Sequence, residues 1–315
     1  MPRAHRHVRG GLNGPRAGDR TQVDWRPWLL VSSIIDDKRH VRRGAQLSDV
    51  RAAVVTPLDS FRLDGRVAII PGGGGAIGSA IAVALAQAGA QVAVVGRSAE
   101  SLEAAAARVS AVGGSCLVLP GDVTDDETAQ RVVADTAERF GRLDIIVNAV
   151  GGGAGKVLFS AEEYPRDAWD WIFELNVRSA LLPTQAAVKV MIAGGNGGRV
   201  LNISSVRAQL GINAGYSAYV AAKGAISSLT RQWATEWAKH GINVNAISPT
   251  FVDTPQVAML LDDPQFKAGI VNRIPLHRVG GTDDLIGPAI FLCSDASAFV
   301  TGQVLGIDGG LTATQ

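Results

Sequence analysis

Tyr219 and Lys223 stand four residues apart in Tyr219-Val220-Ala221-Ala222-Lys223, inside a stretch that reads as helix. Residues i and i+4 share a helix face, so this spacing aims a phenol and an ammonium into the same space. The chain has three tyrosines and six lysines, so chance pairing at that spacing is rare. A free phenol titrates near ~10, too high for proton transfer at neutral pH. Lowering it by about three units takes roughly 4 kcal/mol. An ammonium about 5 Å away supplies on the order of 3 kcal/mol at an effective dielectric of about 20. The pair therefore predicts general acid/base chemistry on a substrate oxygen. Tyr216 has Val220 four residues on and lacks the partner. Ser205, just past the apolar run Arg199–Ile203, is the candidate to hold that oxygen by hydrogen bond, with Ser204 as its rival.

A second constellation suits a phosphate-bearing ligand. Pro71-Gly72-Gly73-Gly74-Gly75-Ala76-Ile77-Gly78 follows one apolar run and opens a helical stretch. Glycine there allows a tight turn and close approach of a pyrophosphate, whose charge is met by free N–H groups at the helix start. Gly72, Gly74, Gly75, Ile77 and Gly78 are the candidate contacts. About twenty residues on, where an acid would bond the ribose 2′-hydroxyl of NAD, the chain has Arg97 and Ser98 instead, a pair suited to a 2′-phosphate. That predicts NADP, with NAD as the alternative. Asp122, followed by Val123, is placed to accept from an adenine amino group, while Asp125 is the better helix cap. Asn148 and Ala149 end a fourth apolar run, and the small residues after them would let a dinucleotide lie across the strand ends.

Short apolar runs alternate with helical stretches from Leu63 onward: Val67–Ile70, Val92–Val95, Cys116–Leu119, Ile145–Val147, Arg199–Ile203, Asn243–Ala246 and Val304–Ile307. This is the pattern of βαβ units. It predicts an α/β fold: a single doubly wound Rossmann domain of about seven parallel strands with helices on both faces, over residues 61–315. The intervening helices are expected at Ser79–Ala88, Ala99–Val112, Asp125–Phe140, Trp169–Ala193, Ala218–Lys239 and Asp283–Ser294. The irregular stretch Phe251–Gly281 is a candidate lid.

The composition bounds the rest. With 315 residues, 47% hydrophobic and a formal charge of +1, the chain can bury a sizeable core and gives no global reason to expect nucleic acid as partner. Residues 1–60 differ, with 11 Lys/Arg against 6 Asp/Glu and little periodicity, and read as a basic, flexible extension. No segment reaches the roughly 18 apolar residues of a membrane span. Cys116 and Cys293 are far apart with no CxxC, which excludes a zinc ribbon or disulfide scaffold and suits the cytoplasm. No metal site is expected.

Taken in order, these residues resemble the short-chain dehydrogenase/reductase family from about Leu63 to the C-terminus. The resemblance rests on the Gly loop, Asp122-Val123, Asn148, Asn176, Ser205, Tyr219/Lys223, Pro249 and Thr301-Gly302-Gln303…Asp308-Gly309-Gly310. It implies hydride transfer between a nicotinamide cofactor and a carbonyl or secondary alcohol. It adds Asn176 as a fourth catalytic residue, holding a water near Lys223, and Pro249, Val252 and Thr254 as contacts to the nicotinamide and phosphates. It also implies a homo-oligomer, tetramer or dimer, formed through the two long helices. The sequence departs from the family pattern at Pro71, Ala76, Ala149-Val150 and Thr250, none of which bears on the four chemical residues. Ala149–Gly153, Leu181–Gln185 and Thr230–Trp233 further resemble the family's sugar-acid and polyol dehydrogenases, of the gluconate 5-dehydrogenase and fructuronate-reductase kind. A sugar acid or polyol is thus the expected substrate, with Lys156, Gln209, Asn213 and His277 as available polar contacts. The alternatives are a 3-oxoacyl thioester or other hydrophobic ketone, and, in another class, a nucleotide-responsive binding or regulatory protein.

Overall fold

The computed structural model describes residues 56–314 other than 256. The basic extension expected over 1–60 falls almost wholly outside the described residues. The apolar runs form β1 (Val67–Pro71), β2 (Gln91–Gly96), β3 (Cys116–Pro120), β4 (Ile145–Asn148), β5 (Gly198–Ile203), β6 (Ile242–Pro249) and β7 (Val304–Ile307). They pair in parallel in one sheet of order β3-β2-β1-β4-β5-β6-β7. All five residues of β1 are buried, because helices cover both faces. That is why the central strands read as continuous apolar runs rather than alternating ones. The order reverses between β1 and β4, which leaves a crevice outside their carboxyl ends.

Two helical layers cover the sheet. On one face Ile81 and Leu85 of α1 (Ala76–Gln87), Leu102 and Val109 of α2 (Ala99–Ala111) and Leu285 and Leu292 of a late helix, Asp283–Cys293, pack together. On the other, Val132 and Val133 of α3 (Asp126–Phe140) join Val188 and Met191, from Ser179–Gly194, and Trp233, from Ser217–Trp237. The starts of α2 and α3 are fixed by side-chain caps, Ser98 accepting from Ser101 N–H and Asp125 accepting from Thr128 N–H at 2.8 Å.

Two expectations need correction. The single helix expected over Trp169–Ala193 is α4 (Arg166–Phe173), a π turn over Glu174–Arg178 and α5 (Ser179–Gly194). Within it the Ile172 carbonyl accepts from the Asn176 side chain at 3.0 Å, and such wide turns recur at functional sites. The next long helix, α6, spans Ser217–Trp237. The stretch Phe251–Gly281 is not irregular throughout, since it contains α7 (Ala258–Leu261) and α8 (Pro264–Val271). Asp263 caps α8 by accepting from Gln265 N–H at 2.9 Å, with Pro264 at the first helical position, a start signal present in the sequence. The last helix, α9, is Asp283–Cys293.

A buried polar chain ties four of these elements together. The Asn148 amide of β4 donates to Thr184 Oγ1 of α5 at 2.7 Å and to Asn202 Oδ1 of β5 at 2.8 Å. Asn202 in turn donates to Thr230 Oγ1 of α6 at 2.9 Å. Thr184, Asn202 and Thr230 have no exposed surface.

Candidate active site

The first turns of α6 carry Tyr219 and Lys223. Ala218 and Ala222 are fully buried against Ile172 of α4, and this packing fixes the rotation of α6. Lys223, 3% exposed, donates from Nζ to the Ile203 carbonyl at the end of β5 at 2.9 Å. Its ammonium lies 5.8 Å from the centre of the Tyr219 ring, so the two side chains do share one face. Ser205 follows β5, and its hydroxyl lies near enough to the Tyr219 phenol to pull the phenol's pKa down. Ser204, the rival candidate, is engaged elsewhere. Its Oγ shares a 2.7 Å hydrogen bond with Ser227 Oγ and donates to the Lys223 carbonyl at 3.3 Å, inside the core.

Asn176 reaches the same place from the π turn. Its Oδ1 accepts from Gly152 N–H at 2.9 Å, and its Nδ2 donates to the Gly152 carbonyl at 3.0 Å. The amide is therefore engaged with backbone on both sides and clamps the strand-end glycines. Gly151, at φ 154°, has no room for a side chain: a Cβ there would lie 2.9 Å from Asn176 Oδ1 and 3.1 Å from Lys223 Nζ. Carboxamide and ammonium thus converge over one glycine.

Electrostatics differ from the expectation of a phenol already acidified by Lys223. Burial pushes the Tyr219 phenol above its ordinary value, and the Ser205 hydroxyl and the Arg207 charge only partly offset it. Burial also pulls Lys223 down to about 8. Enclosing both groups before any ligand is bound weighs more than their mutual attraction. Tyr219 keeps part of its surface open, so the burial effect is firmer for Lys223.

The glycine-rich turn fits a dinucleotide. α1 begins at Gly75 with no side-chain cap, which leaves its first N–H groups free for an anion. Gly72 has φ +82°, and a Cβ on it would sit 2.5 Å from the Ala149 carbonyl carbon. A Cβ on Gly78 would overlap the Gly72 carbonyl, and one on Gly74 would meet Ser101 Oγ at 2.5 Å. Ile77 packs against the core beneath the turn. Thr250, next to Pro249 at the end of β6, has a buried hydroxyl with no protein partner, and it lines a hollow of about 520 Å³ with Gly306 and Asp308. A second hollow of about 320 Å³ is lined by Val157, Phe159 and Trp171. Neither hollow is lined by Tyr219 or Ser205. Gly72→Ala is expected to cost about 1–3 kcal/mol in strain and to weaken dinucleotide binding at least about tenfold. Gly65→Ala, at φ +72° with nothing within 4 Å of a new Cβ, provides the backbone-only reference. Thermal melts and a cofactor titration of both variants check this.

The remaining expected contacts divide. Arg97 and Asp122 meet, Nη1 to Oδ2 at 3.9 Å, on exposed ends of adjacent strands. Asp122 uses its other oxygen to accept from Thr124 N–H at 3.0 Å, and Ser98 is occupied in capping α2 with its hydroxyl hydrogen still free to donate. Val123 and Val252 turn their side chains into the core, as Asn148 does into the polar chain. Contacts to a ligand near Asn148 therefore fall to the backbone from Ala149 to Gly153. Thr254 lies partly exposed where the chain leaves β6. Lys156, Gln209, Asn213 and His277 are exposed on loops after β4, β5 and β6. Arg207, two residues beyond Ser205, is a buried cation that sequence reading passed over. Its signal was a basic residue two positions past the candidate serine.

A sheet of this order, with its reactive side chains gathered beyond the strand ends, places the molecule among dinucleotide-binding Rossmann domains. The sequence model described as "Enoyl-(Acyl carrier protein) reductase" matches residues 74–312. The chain is 37% identical over 256 residues to gluconate 5-dehydrogenase of Gluconobacter oxydans (strain 621H), covering 81% of this chain and 98% of the relative. It is 37% identical over 259 residues to 2-dehydro-3-deoxy-D-gluconate 5-dehydrogenase of Escherichia coli (strain K12), covering 81% and 99%. Among solved structures, a gluconate 5-dehydrogenase from Burkholderia cenocepacia J2315 in complex with NADP and tartrate is 35% identical, with a TM-score of 0.76 over 82% of this chain and 100% of that one. The chain belongs to the short-chain dehydrogenase/reductase family of oxidoreductases.

Proposed function

We propose that this protein interconverts a secondary alcohol and a ketone on a sugar acid or related polyol, with NADP as cofactor. The convergence of Tyr219, Ser205, Lys223 and Asn176 at one strand-end crevice carries this reading. A pure nucleotide binder has no need of all four. When bound, the nicotinamide supplies or takes up the hydride. The Ser205 hydroxyl donates to the substrate oxygen, and Tyr219 gives that oxygen a proton in reduction or removes one in oxidation. Lys223, anchored on Ile203, holds its charge beside the phenol, and Asn176 fixes the glycine turn against which the cofactor would lie.

NADP is supported by Arg97 and by the absence of an acid at the end of β2. The Burkholderia relative, solved with NADP, supports it too. Arg97 is 75% exposed in its side chain, free to turn from Asp122 to a phosphate. The sugar-acid class is supported by the two gluconate-type relatives. Among the described residues no helix is long and apolar enough to cross a membrane. A cytoplasmic location is supported by two free thiols, both pushed up by burial, Cys116 to about 11 and Cys293 to about 12. A homo-oligomer, dimer or tetramer, is supported by β7, an edge strand whose Leu305 is 40% exposed, and by Phe299, which is fully exposed.

The test is a panel of 5-keto sugar acids, neutral ketoses and a 3-oxoacyl thioester, each with NADPH and NADH. We expect the sugar acids with NADPH to turn over best, and Arg97→Ala to raise KM for NADPH about tenfold or more with little change for NADH. Faster turnover of the thioester, or indifference of NADPH to Arg97, would overturn the corresponding part.

A further inference from the structure

The geometry points to Arg207 as the anchor for the carboxylate of the substrate, an inference that rests on the sugar-acid reading above. Arg207 is only 6% exposed, yet among the described residues its guanidinium makes a single side-chain hydrogen bond, Nη1 to the Gly211 carbonyl at 3.3 Å. Among the described residues no carboxylate lies within ion-pair distance of it. A buried charge without a counter-charge is costly, and one whose fork of five donors is mostly unused by the described residues is suited to a partner from outside them.

The other buried arginine shows how this fold treats a structural one. Arg199, 7% exposed, donates to Asp295 at 3.1 Å, to the Gly198 carbonyl at 3.0 Å and to the Ser294 carbonyl at 3.3 Å. Arg207 has no such set. The side-chain atoms sealed from solvent without a partner, among the described residues, are Asn148 Oδ1, Ser248 Oγ and Thr250 Oγ1. The unused nitrogens of Arg207 are not among them, so they retain access to open space.

We infer that this space belongs to the reaction crevice, because Arg207 stands in the same short turn as Ser205. The guanidinium charge bears on the phenols of both Tyr216 and Tyr219. A second cation, Arg273, adds to the positive field from the segment after α8. Arg207 and Ser205 share one short turn, with Arg207 N–H donating to Ser205 Oγ at 3.2 Å. A substrate whose reacting oxygen sits at Ser205 can thus place a terminal carboxylate on the guanidinium. Such a pair is planar, two-pronged and shielded from water, the setting in which arginine discriminates most strongly. A neutral sugar of the same length would leave the buried charge unpaired, so the site both selects acids and rejects their neutral counterparts.

The experiment compares 5-ketogluconate with fructose, which carries a hydroxymethyl group at the end where the acid carries its carboxylate, using wild type, Arg207→Gln and Arg207→Lys. In Arg207→Gln, KM for the acid should rise by roughly a hundredfold with kcat little changed. KM for fructose should stay within about twofold or fall. Arg207→Lys should recover part of the acid affinity, since it restores the charge without the fork. Calorimetric titration of tartrate into the NADPH-loaded proteins gives a readout free of turnover, with binding lost in Arg207→Gln and partly regained in Arg207→Lys. Equal losses on acid and ketose, or undiminished tartrate binding in Arg207→Gln, would overturn the role of Arg207 while leaving the sugar-acid reading intact. A wild type that reduces fructose but neither turns over the acid nor binds tartrate would overturn both.

Discussion

Replacing Tyr219 by phenylalanine is expected to lower turnover by about a thousandfold or more, while the dissociation constant for the dinucleotide stays within a few-fold. Positioned general acid/base groups contribute roughly 10²–10⁴-fold. This substitution removes one oxygen and leaves in place the ring that packs beside Ala222 and Ile172. The phenol is also the group through which pH acts. Burial holds its proton more tightly than in water, so the neutral, donating form prevails through the neutral range. Reduction, which needs that proton, should therefore hold its rate across neutral pH. Oxidation, which needs the phenolate, should climb as pH rises. Steady-state rates in both directions, together with fluorescence titration of NADPH, check this. Tyr219→Phe retaining more than about a tenth of wild-type turnover would remove Tyr219 from the chemistry.

Lys223→Met is expected to make a more stable protein that scarcely turns over. The Lys223 ammonium falls from an ordinary value of 10.5 to about 8 because it is buried. The folded state thus binds this proton less tightly than the unfolded chain does. Below about 8 both states carry it and the burial cost, on the order of 3 kcal/mol, is felt in full. Between about 8 and 10.5 the folded protein releases the proton while the unfolded chain keeps it, so stability rises with pH through that window. Methionine fills a similar volume without the charge. It leaves the Ile203 carbonyl without its 2.9 Å donor, a loss of about 1 kcal/mol. A net gain of roughly 1–2 kcal/mol at pH 7 follows from these two magnitudes. The gain should shrink toward pH 10. Denaturant melts at pH 7 and 10 measure it, and a Lys223→Met protein less stable than wild type at pH 7 would show that the ammonium is not strained by its burial.

What the sequence made legible follows from locality. β1 and β4 stood out because strands covered on both faces must be apolar throughout. Tyr219 and Lys223 stood out because i and i+4 on a helix meet whatever surrounds them. Asp125 was readable as a cap because its partner, Thr128, is three residues away. The π turn around Asn176 was hidden, since the backbone its amide clasps belongs to a glycine of another loop, 24 residues distant. Arg207 was hidden for the same reason. Its burial is set by Val206 packing on Ile274 and Leu311, far along the chain. The phenol shift was misjudged in kind, because spacing reveals an attraction between two groups but not the enclosure that opposes it.

The amides and hydroxyls running from Asn148 through Asn202 to Thr230, with Thr184 alongside, reach to within one residue of Ile203, on whose carbonyl Lys223 is held. Such a ladder closes only when two strands and two helices stand in a single alignment, and slipping any one of them strands a donor in a waterless interior. Assembly of the crevice and locking of the sheet are then the same event. A chain that had folded its helices but not seated them would have no half-working version of this enzyme to offer.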